Sequence, residues 1–531
     1  MTTNRHRLLT SLVALLAVME MNGQVAPQVP RLVVNVVIDQ LRSDCLQAFM
    51  PLYGQGGFVR LMTDGRVYTQ AEYPFLNPDR ASAVASLMTG TTPYEHGIVG
   101  QRWLDRQTLQ PVFCVDDRHY QGVQTTEQSS AANLSVSTIS DELKVSTGGK
   151  ALVYAVAPDR DAAVLSAGHA ADGGFWMNDN TGVWCSSNYF GSAPAWLSYY
   201  ESTYHLSENI ARMQWTPSSE LVGQYDYFLS GTTHKPFDHK FKGDRCYRLF
   251  KTSGLVNEEV TRFARHVLAN TLLGVDAVSD FLSVTYYAGN YDHQSVTQAP
   301  MELQDTYVRL DEQLALLIQS VEEKVGKDRV LFVVTGTGYA DADQQEADLK
   351  KYRIPTGEFN ITRAQMLLNM YLTAVYGQGQ YVEACSGNEI YLNLKQLEQK
   401  AISLDDLMER SAAFLSRLSG VRDVYTSQQL LQRASSMQVE KLRNAFNLSR
   451  SGDLLIEVSS GWRLINETTG ERTLQRESFL AFPLIFLGAG VDKQIINTPV
   501  KIDRLAPTLG AHMRIRAPNA CGASPLTLIN D

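Results

Sequence analysis

The sequence of 531 residues has no long run of one charge and, beyond its first residues, no long apolar run. Its formal net charge is -9, and Lys and Arg occur only in short groups. A basic surface for nucleic acid is therefore not expected. No later segment reaches the roughly 18 apolar residues that a membrane-spanning helix needs. We predict no nucleic-acid partner and no membrane span in the mature chain.

Cysteine is scarce and scattered. The six cysteines are Cys45, Cys114, Cys185, Cys246, Cys385 and Cys521. No two of them form a Cys-x-x-Cys arrangement, which excludes a zinc knuckle and a thioredoxin-type redox motif. An exported chain could pair an even number of them as disulfides, but sequence spacing does not give the pairing. Buried free thiols are an equal alternative.

The first 24 residues have the order of a secretory signal peptide. Arg5 and Arg7 precede an apolar run from Leu8 to Met19, and polar residues follow. The run is short for a membrane span, although an uncleaved anchor is the alternative. We predict that residues 1–24 are removed and that the mature protein, residues 25–531, is exported to the periplasm or secreted.

Short runs of aliphatic and β-branched residues predict strands buried in a parallel sheet. They are residues 31–38, 151–156, 281–286, 330–334 and 484–487. Helical patterns lie between them, one at 260–268 behind a predicted Asn257 cap and one at 303–325. This alternation predicts an α/β fold, a doubly wound and mostly parallel sheet with helices on both faces.

From about residue 352 to 476 this alternation stops. A capping-box pattern at Ser403 to Asp406 predicts a helix that runs to Leu418, and Gly420 ends it. A second helix is predicted at 437–446. With no internal repeat or low-complexity linker, we interpret the segment as a cap inserted into the main α/β domain.

Asp39 follows the first predicted strand. Functional groups of open parallel sheets collect at the carboxyl ends of the strands, so Asp39 is a candidate metal ligand. A turn-capping Asp without a metal is the alternative.

Five sequence blocks, found in the same order in a known family, surround and follow this residue. They read VVIDQLR at 36–42, TGTTPYEHGIVG at 89–100, GHAAD at 168–172, YVRLD at 307–311 and LAPTL at 505–509. Together they are specific, although each alone is weak. Across residues 31 to 526 the chain resembles the bacterial phosphate-irrepressible alkaline phosphatases, within the type I phosphodiesterase and nucleotide pyrophosphatase group. The resemblance implies an alkaline-phosphatase-like sandwich.

The resemblance also implies a set of catalytic residues, and this chain departs from it. The family uses two zinc ions, held mostly by three Asp and three His, and a metal-bound Thr or Ser nucleophile. Asp39 fills the place of the first ligand, but the nucleophile position falls on Arg80, which cannot attack phosphorus. A slipped alignment would offer Asp79 or Ser82 instead.

The phosphate-binding positions are altered too. The family's phosphate-holding Asn corresponds to Gln101, and of its Lys and Arg clamp only Arg160 remains.

The remaining ligand positions are mostly replaced. His293 is retained, its partner Asp falls on Gly289 or Asn290, and Asp292 is a new carboxylate beside it. The Asp-His-Gly element reads TGTGY at 335–339, and the late His falls near Arg472. Because His293 is the only histidine between residues 266 and 512, a three-His site cannot be assembled.

We therefore predict a catalytically inactive member of the family that binds a ligand or an envelope protein, with no cofactor or at most one weakly held metal. The alternative is a zinc-dependent phosphatase or phosphodiesterase with a remodelled site of Asp39, Asp292 and His293. Loss of the metals would leave Asp39 without a counter-charge. We accordingly predict an ion pair between Arg80 and Asp39 as a structural substitute for metal.

Overall fold

The computed structural model describes residues 29–224, 236–341, 353, 355–432, 436–474 and 480–530; the predicted signal peptide lies outside them. The strands are β1 Leu32–Asp39, β2 Arg66–Glu72, β3 Arg102–Leu104, β4 Pro111–Phe113, β5 Gly122–Val123, β6 Val153–Ala157, β7 Gly173–Met177, β8 Trp184–Ser187, β9 Gln214–Trp215, β10 His239–Lys240, β11 Asp280–Tyr287, β12 Val330–Gly336, β13 Glu358–Asn360, β14 Val382–Ser386, β15 Glu389–Leu392, β16 Val421–Thr426, β17 Leu454–Val458, β18 Arg463–Ile465, β19 Arg472–Leu474, β20 Phe482–Gly488, β21 Gln494–Ile496 and β22 Val500–Lys501.

The helices connect these strands in most of the chain. They are α1 Ser43–Ala48, α2 Phe58–Asp64, α3 Arg80–Thr89, α4 Pro93–His96, α5 Ile139–Ser146, α6 Arg160–Ala167, α7 Ala195–Tyr204, α8 Leu206–Arg212, α9 Cys246–Lys251, α10 Leu255–Asn270, α11 Pro300–Val325, α12 Ile361–Tyr376, α13 Leu394–Gln399, α14 Leu404–Leu415, α15 Ser427–Leu431, α16 Met437–Ala445 and α17 Leu505–Met513.

One large sheet organises the molecule, in the order β21-β2-β20-β12-β1-β11-β6-β7-β8-β5, with β22 also paired to β2. The central strands β12, β1, β11, β6 and β7 run parallel. In register, Val36 of β1 lies between Val284 of β11 and Val334 of β12. β20 pairs antiparallel with both β12 and β2. The predicted fold class, a mostly parallel sheet covered by helices, is confirmed.

Helices cover both faces of this sheet. Along β1, Val34 and Val36 pack into a hydrophobic cluster with α10 and α11, whereas Val33 and Val37 pack into a second cluster with α3 and α6. Strand side chains alternate between faces, so an uninterrupted aliphatic run supplies both cores. β1 is accordingly central, and every residue from Leu32 to Asp39 is buried.

One predicted helix start is wrong. Helix α10 begins at Leu255, so Asn257 lies inside it and does not cap it. The Asn257 side chain instead bonds to the backbone of Tyr287 at the end of β11, accepting from its N–H at 2.9 Å and donating to its carbonyl at 2.8 Å. A buried amide that satisfies two backbone groups across elements is a tertiary contact, which local spacing does not reveal.

The predicted insertion, as far as it is described, carries a small sheet of its own in the order β14-β15-β17-β16. It also has its own hydrophobic cluster, formed by residues of α12, α14 and these strands. Ser403 caps α14 as predicted, by accepting from the backbone N–H of Asp406, and the helix ends at Leu415, earlier than Leu418. Arg106 of the main sheet region contacts Asp453 of the insertion at 3.1 Å.

Two further expectations concern the whole chain. No helix in the ranges given above is both long and apolar enough to cross a membrane. The six cysteines are all free thiols, three of them buried.

Candidate functional site

The candidate site lies at the carboxyl edge of the central strands. Asp39 ends β1, Thr337 directly follows β12, and helices α3 and α6 begin at this edge with Arg80 and Arg160. The topology therefore brings together the strand end and the helix starts that the sequence singled out.

Arg80 is the centre of this edge. Its Nη1 lies 3.3 Å from Asp39 Oδ2 and 2.9 Å from Asp159 Oδ2, and its Nη2 lies 3.0 Å from Asp161 Oδ1. The structure thus brings together Arg80 and Asp39, and it adds two carboxylates to the pair. Burial lowers the pKa of Arg80, but the three aspartates outweigh burial and raise it above its ordinary value. The guanidinium is therefore charged at every accessible pH.

Asp39 is almost fully buried and makes neutral as well as charged contacts. Its Oδ1 accepts a hydrogen bond from the Thr337 hydroxyl at 2.9 Å, and its Oδ2 accepts one from the Tyr339 hydroxyl at 3.1 Å. Burial raises the pKa of Asp39 from 3.8 to about 6, although Arg80 and the two hydroxyls oppose this shift. Both carboxylate oxygens are thus occupied by groups of this chain.

The start of α3 explains how Arg80 is presented. Asp79 is the N-cap and accepts from the backbone N–H of Ser82 at 2.9 Å, while the Ser82 hydroxyl lies 2.7 Å from the Asp79 carboxylate. Ser82 is buried in this capping box, which satisfies backbone groups of the first turn. Arg80 is the first helical residue, where the helix dipole disfavours a cation, so its surrounding carboxylates are needed.

The phosphate-binding positions are also engaged with carboxylates. The Gln101 side chain donates to Asp161 Oδ2 at 3.1 Å. Arg160 Nη2 lies 2.8 Å from Asp116 Oδ1, and Arg160 Nη1 donates to the Ser129 hydroxyl at 3.2 Å. The donors that the resemblance assigns to phosphate therefore bind the protein's own groups.

The second group of predicted metal ligands is separate from the first. Asp292 forms an ion pair with Arg245, and His293 Nδ1 lies 2.9 Å from Asp341 Oδ2. The hydrogen bond to Asp341 raises the pKa of His293 above its ordinary value. Asp292 and His293 also have left-handed backbone angles, φ 47° and 54°. The predicted set of Asp39, Asp292 and His293 is thus divided between two networks.

These residues do not fit the two zinc ions that the resemblance implies. A zinc ion needs about four nitrogen, oxygen or sulfur donors. Within the described ranges, no three His, Cys, Asp or Glu side chains are grouped so that they could hold a metal ion. The oxygens of Asp39 instead accept hydrogen bonds from a guanidinium and two hydroxyls, so they are engaged with donors of this chain.

Sequence reasoning missed several members of the site. Asp159 and Asp161 flank Arg160. A cation at Arg80 requires negative charge nearby, and this requirement could have identified the two aspartates. Thr337 and Tyr339 stand in the segment that replaces the Asp-His-Gly element, where small polar and aromatic residues gave no separate signal.

Comparisons with known proteins agree with this architecture. The chain matches the family of type I phosphodiesterases / nucleotide pyrophosphatases over residues 33–479. It belongs to that family. Alkaline phosphatase PafA of Elizabethkingia meningoseptica is 27% identical over 516 residues, 94% of each chain. Alkaline phosphatase PhoV of Synechococcus elongatus is 26% identical over 513 residues, 92% of this chain and 91% of the relative.

A solved structure shows the same fold. The crystal structure of wild-type PafA matches with a TM-score of 0.81 at 25% identity, covering 95% of this chain and 99% of that chain. The predicted membership of the alkaline phosphatase superfamily is thereby confirmed.

Proposed function

We propose that this protein is an exported, catalytically inactive member of the alkaline phosphatase superfamily, which keeps the fold to bind a ligand or to serve in the cell envelope. The observation that carries the proposal is Arg80, at the position that the resemblance assigns to the nucleophile. Its guanidinium is held by three aspartates within 3.3 Å.

Three physical reasons support the loss of hydrolysis. A guanidinium stays protonated and has no lone pair for attack on phosphorus. The nearest hydroxyl in sequence, that of Ser82, is buried in a helix cap. Asp39, Asp159 and Asp161 also place negative charge where a phosphate group would have to enter, and like charges repel strongly in a poorly solvated site.

A second candidate function is a zinc-dependent alkaline phosphatase or phosphodiesterase with a remodelled metal site. Its support is that PafA and PhoV are named alkaline phosphatases and that His293 keeps a family ligand position. This candidate requires Asp39, Asp292 and His293 to leave their present partners and meet around one ion.

Metal content and turnover distinguish the two candidates. We expect the purified mature protein to hold less than one equivalent of zinc by plasma mass spectrometry. We also expect it to hydrolyse neither a nitrophenyl phosphate monoester nor the diester when zinc is added. Asp39→Ala is the matched control, because it removes the retained ligand. Two bound zinc ions, or turnover that Asp39→Ala abolishes, would establish the hydrolase. Export is tested by the mass of protein recovered outside the cytoplasm, which should lack residues 1–24.

A further inference from the structure

The GHAAD block at 168–172 holds a histidine outside the candidate site. His169 is partly exposed, with 33% of its side chain accessible to solvent. Its Nδ1 lies 2.8 Å from Asp141 Oδ2, and its Nε2 lies 3.0 Å from the backbone carbonyl oxygen of Leu134. Both ring nitrogens therefore face an oxygen of this chain.

The partners of the ring decide where its protons are. A carbonyl oxygen can only accept a hydrogen bond, so Nε2 of His169 carries a proton. The Asp141 carboxylate accepts backbone hydrogen bonds from His169 at 2.7 Å, from Ala170 at 2.9 Å and from Thr138 at 2.8 Å. Three such bonds stabilise an ionised carboxylate, which can only accept from Nδ1. The ring is therefore an imidazolium with a proton on each nitrogen.

The acid–base behaviour of the pair agrees with this geometry. Burial raises the pKa of Asp141, but the hydrogen bonds from His169 and from Thr138 outweigh burial, and the pKa is below its ordinary value. The hydrogen bond to Asp141 raises the pKa of His169, and the Leu134 carbonyl acts in the same direction. Each partner thus favours the charged form of the other.

The imidazolium joins the GHAAD block to a loop, residues 129–138, that reaches the candidate site. Leu134 lies within this loop, and its side chain packs in the hydrophobic cluster of α3 and α6. At the start of the loop, the Ser129 hydroxyl accepts from Arg160 at 3.2 Å. A change at the histidine can therefore be passed along one short segment to a side chain of the site.

We propose that His169 is a pH-sensitive clamp on this loop. As an imidazolium it bridges Asp141 and the Leu134 carbonyl. When pH rises, Nε2 loses its proton before Nδ1, because Nδ1 faces a carboxylate. The Nε2 lone pair then faces the Leu134 carbonyl oxygen, and the two acceptors repel each other. The contact opens, but the backbone N–H of Ser135 still donates to the His96 carbonyl at 3.0 Å, so the loop loosens locally and stays folded.

The charged groups around the ring leave this response to the histidine. Asp141 of α5 faces the ring, and the loop presents only a neutral carbonyl. Further along α5, Lys144 pairs with Asp172 at 2.7 Å, so these two charges compensate each other. Tyr189 interacts with Asp141, but burial raises the pKa of this tyrosine above its ordinary value, so it stays neutral. The titration near neutral pH therefore belongs to His169.

The first test is NMR of protein labelled with ¹³C-histidine, in which the His169→Gln variant assigns the resonance. We expect His169 to titrate above the ordinary pKa of 6.5 and to be charged at about pH 6. Asp141→Asn should move the titration down toward 6.5, a change that a role in packing alone would not produce. His512 is the internal control, because it donates to the Ala489 carbonyl at 2.6 Å and burial lowers its pKa. A neutral His169 at about pH 6 would overturn the proposal.

The second test needs only the wild-type protein. A group whose pKa is raised by folding stabilises the fold fully below its ordinary pKa, and this contribution is lost as pH rises through the folded pKa. Hydrogen exchange, corrected for the intrinsic rate, should therefore show several-fold lower protection of the loop at about pH 9 than at about pH 6. Peptides from β1 should keep their protection, and His169→Gln should remove the pH dependence of the loop. Loop protection that does not change with pH in the wild type would refute the clamp.

Discussion

The carboxyl edge of the central sheet has two halves that differ in the burial of their charged groups. The first half surrounds Arg80, and the second half surrounds His293. Around Arg80, three aspartates share a guanidinium; the side chains of Asp39 and Asp161 are 3% and 1% exposed, whereas that of Asp159 is 23% exposed. Around His293, 61% of the histidine side chain is exposed, and its partner is a single carboxylate, Asp341. The first half concentrates three carboxylates on one largely buried guanidinium, whereas the second half consists of two separate pairs whose cationic members are exposed.

The difference shows which carboxylates need a counter-charge within the protein. Buried carboxylates cannot stay ionised without a counter-charge, so the first half depends on internal cations. Arg245 and His293 are exposed, solvated and screened, so the pairs of the second half depend less on such a counter-charge. The backbone of the second half nevertheless remains unusual, since Asp292 and His293 both have positive φ angles.

The largest effect is expected from Arg80→Thr. The change leaves Asp39, Asp159 and Asp161 without their shared guanidinium, and loss of one partner of a buried ion pair costs about 3–5 kcal/mol. Urea denaturation at neutral pH should show this loss in the free energy of unfolding.

The matched control is Arg245→Met in the second half. Arg245 is 65% exposed at its side chain and pairs with Asp292, so we expect a loss below about 1 kcal/mol. Unchanged stability in Arg80→Thr, or equal losses in the two variants, would remove the contrast between the halves.

An intermediate effect is expected from pH acting on Asp39. Its folded pKa of about 6 lies above the ordinary 3.8, so the folded state holds the proton more tightly than the unfolded state. This stabilisation is complete below pH 3.8 and is lost as pH rises through 6. The full shift corresponds to about 3 kcal/mol, as an order of magnitude.

Asp39→Asn has no such titration. The stability of the wild type relative to Asp39→Asn should therefore fall as pH rises from about 4 to about 7, measured by urea denaturation across that range. A difference that is flat with pH, or that grows with pH, would mean that Arg80 and the two hydroxyls hold Asp39 fully ionised.

The smallest effect is expected from His293→Ala. The histidine side chain in the pair with Asp341 is largely exposed, and exposed pairs contribute about 0–1 kcal/mol. Thermal unfolding followed by circular dichroism should place this variant close to the wild type. A loss as large as that of Arg80→Thr would show that the second half also bears buried charge.

The fold was predictable because β1, β6, β11, β12 and β20 stand out as short runs rich in aliphatic and β-branched residues, and because the family blocks stand in order. The pair of Arg80 and Asp39 was also predictable, since each residue occupies a known position and their charges are opposite. The contacts of Lys251, which forms an ion pair with Asp179 and lies 3.6 Å from Asp159, were not predictable. Lys251 ends a short helix about 90 residues from Asp159 in sequence, and only the tertiary fold brings the two together. Asn257 failed as a cap for the same reason: its partner is a distant strand.

The position of β2 in the sheet has a consequence for the order of folding. In the described structure, β2 near the N-terminus pairs with β20, β21 and β22, which all lie between residues 482 and 501. During synthesis, Arg66–Glu72 must therefore wait for more than 400 residues before these hydrogen-bonding partners exist. Pairing over such a separation is slow to form. A ribosome-bound chain that stops before residue 482 would lack these partner strands and would leave β2 unpaired. The final 50 residues therefore complete the edge of the sheet to which β2 belongs.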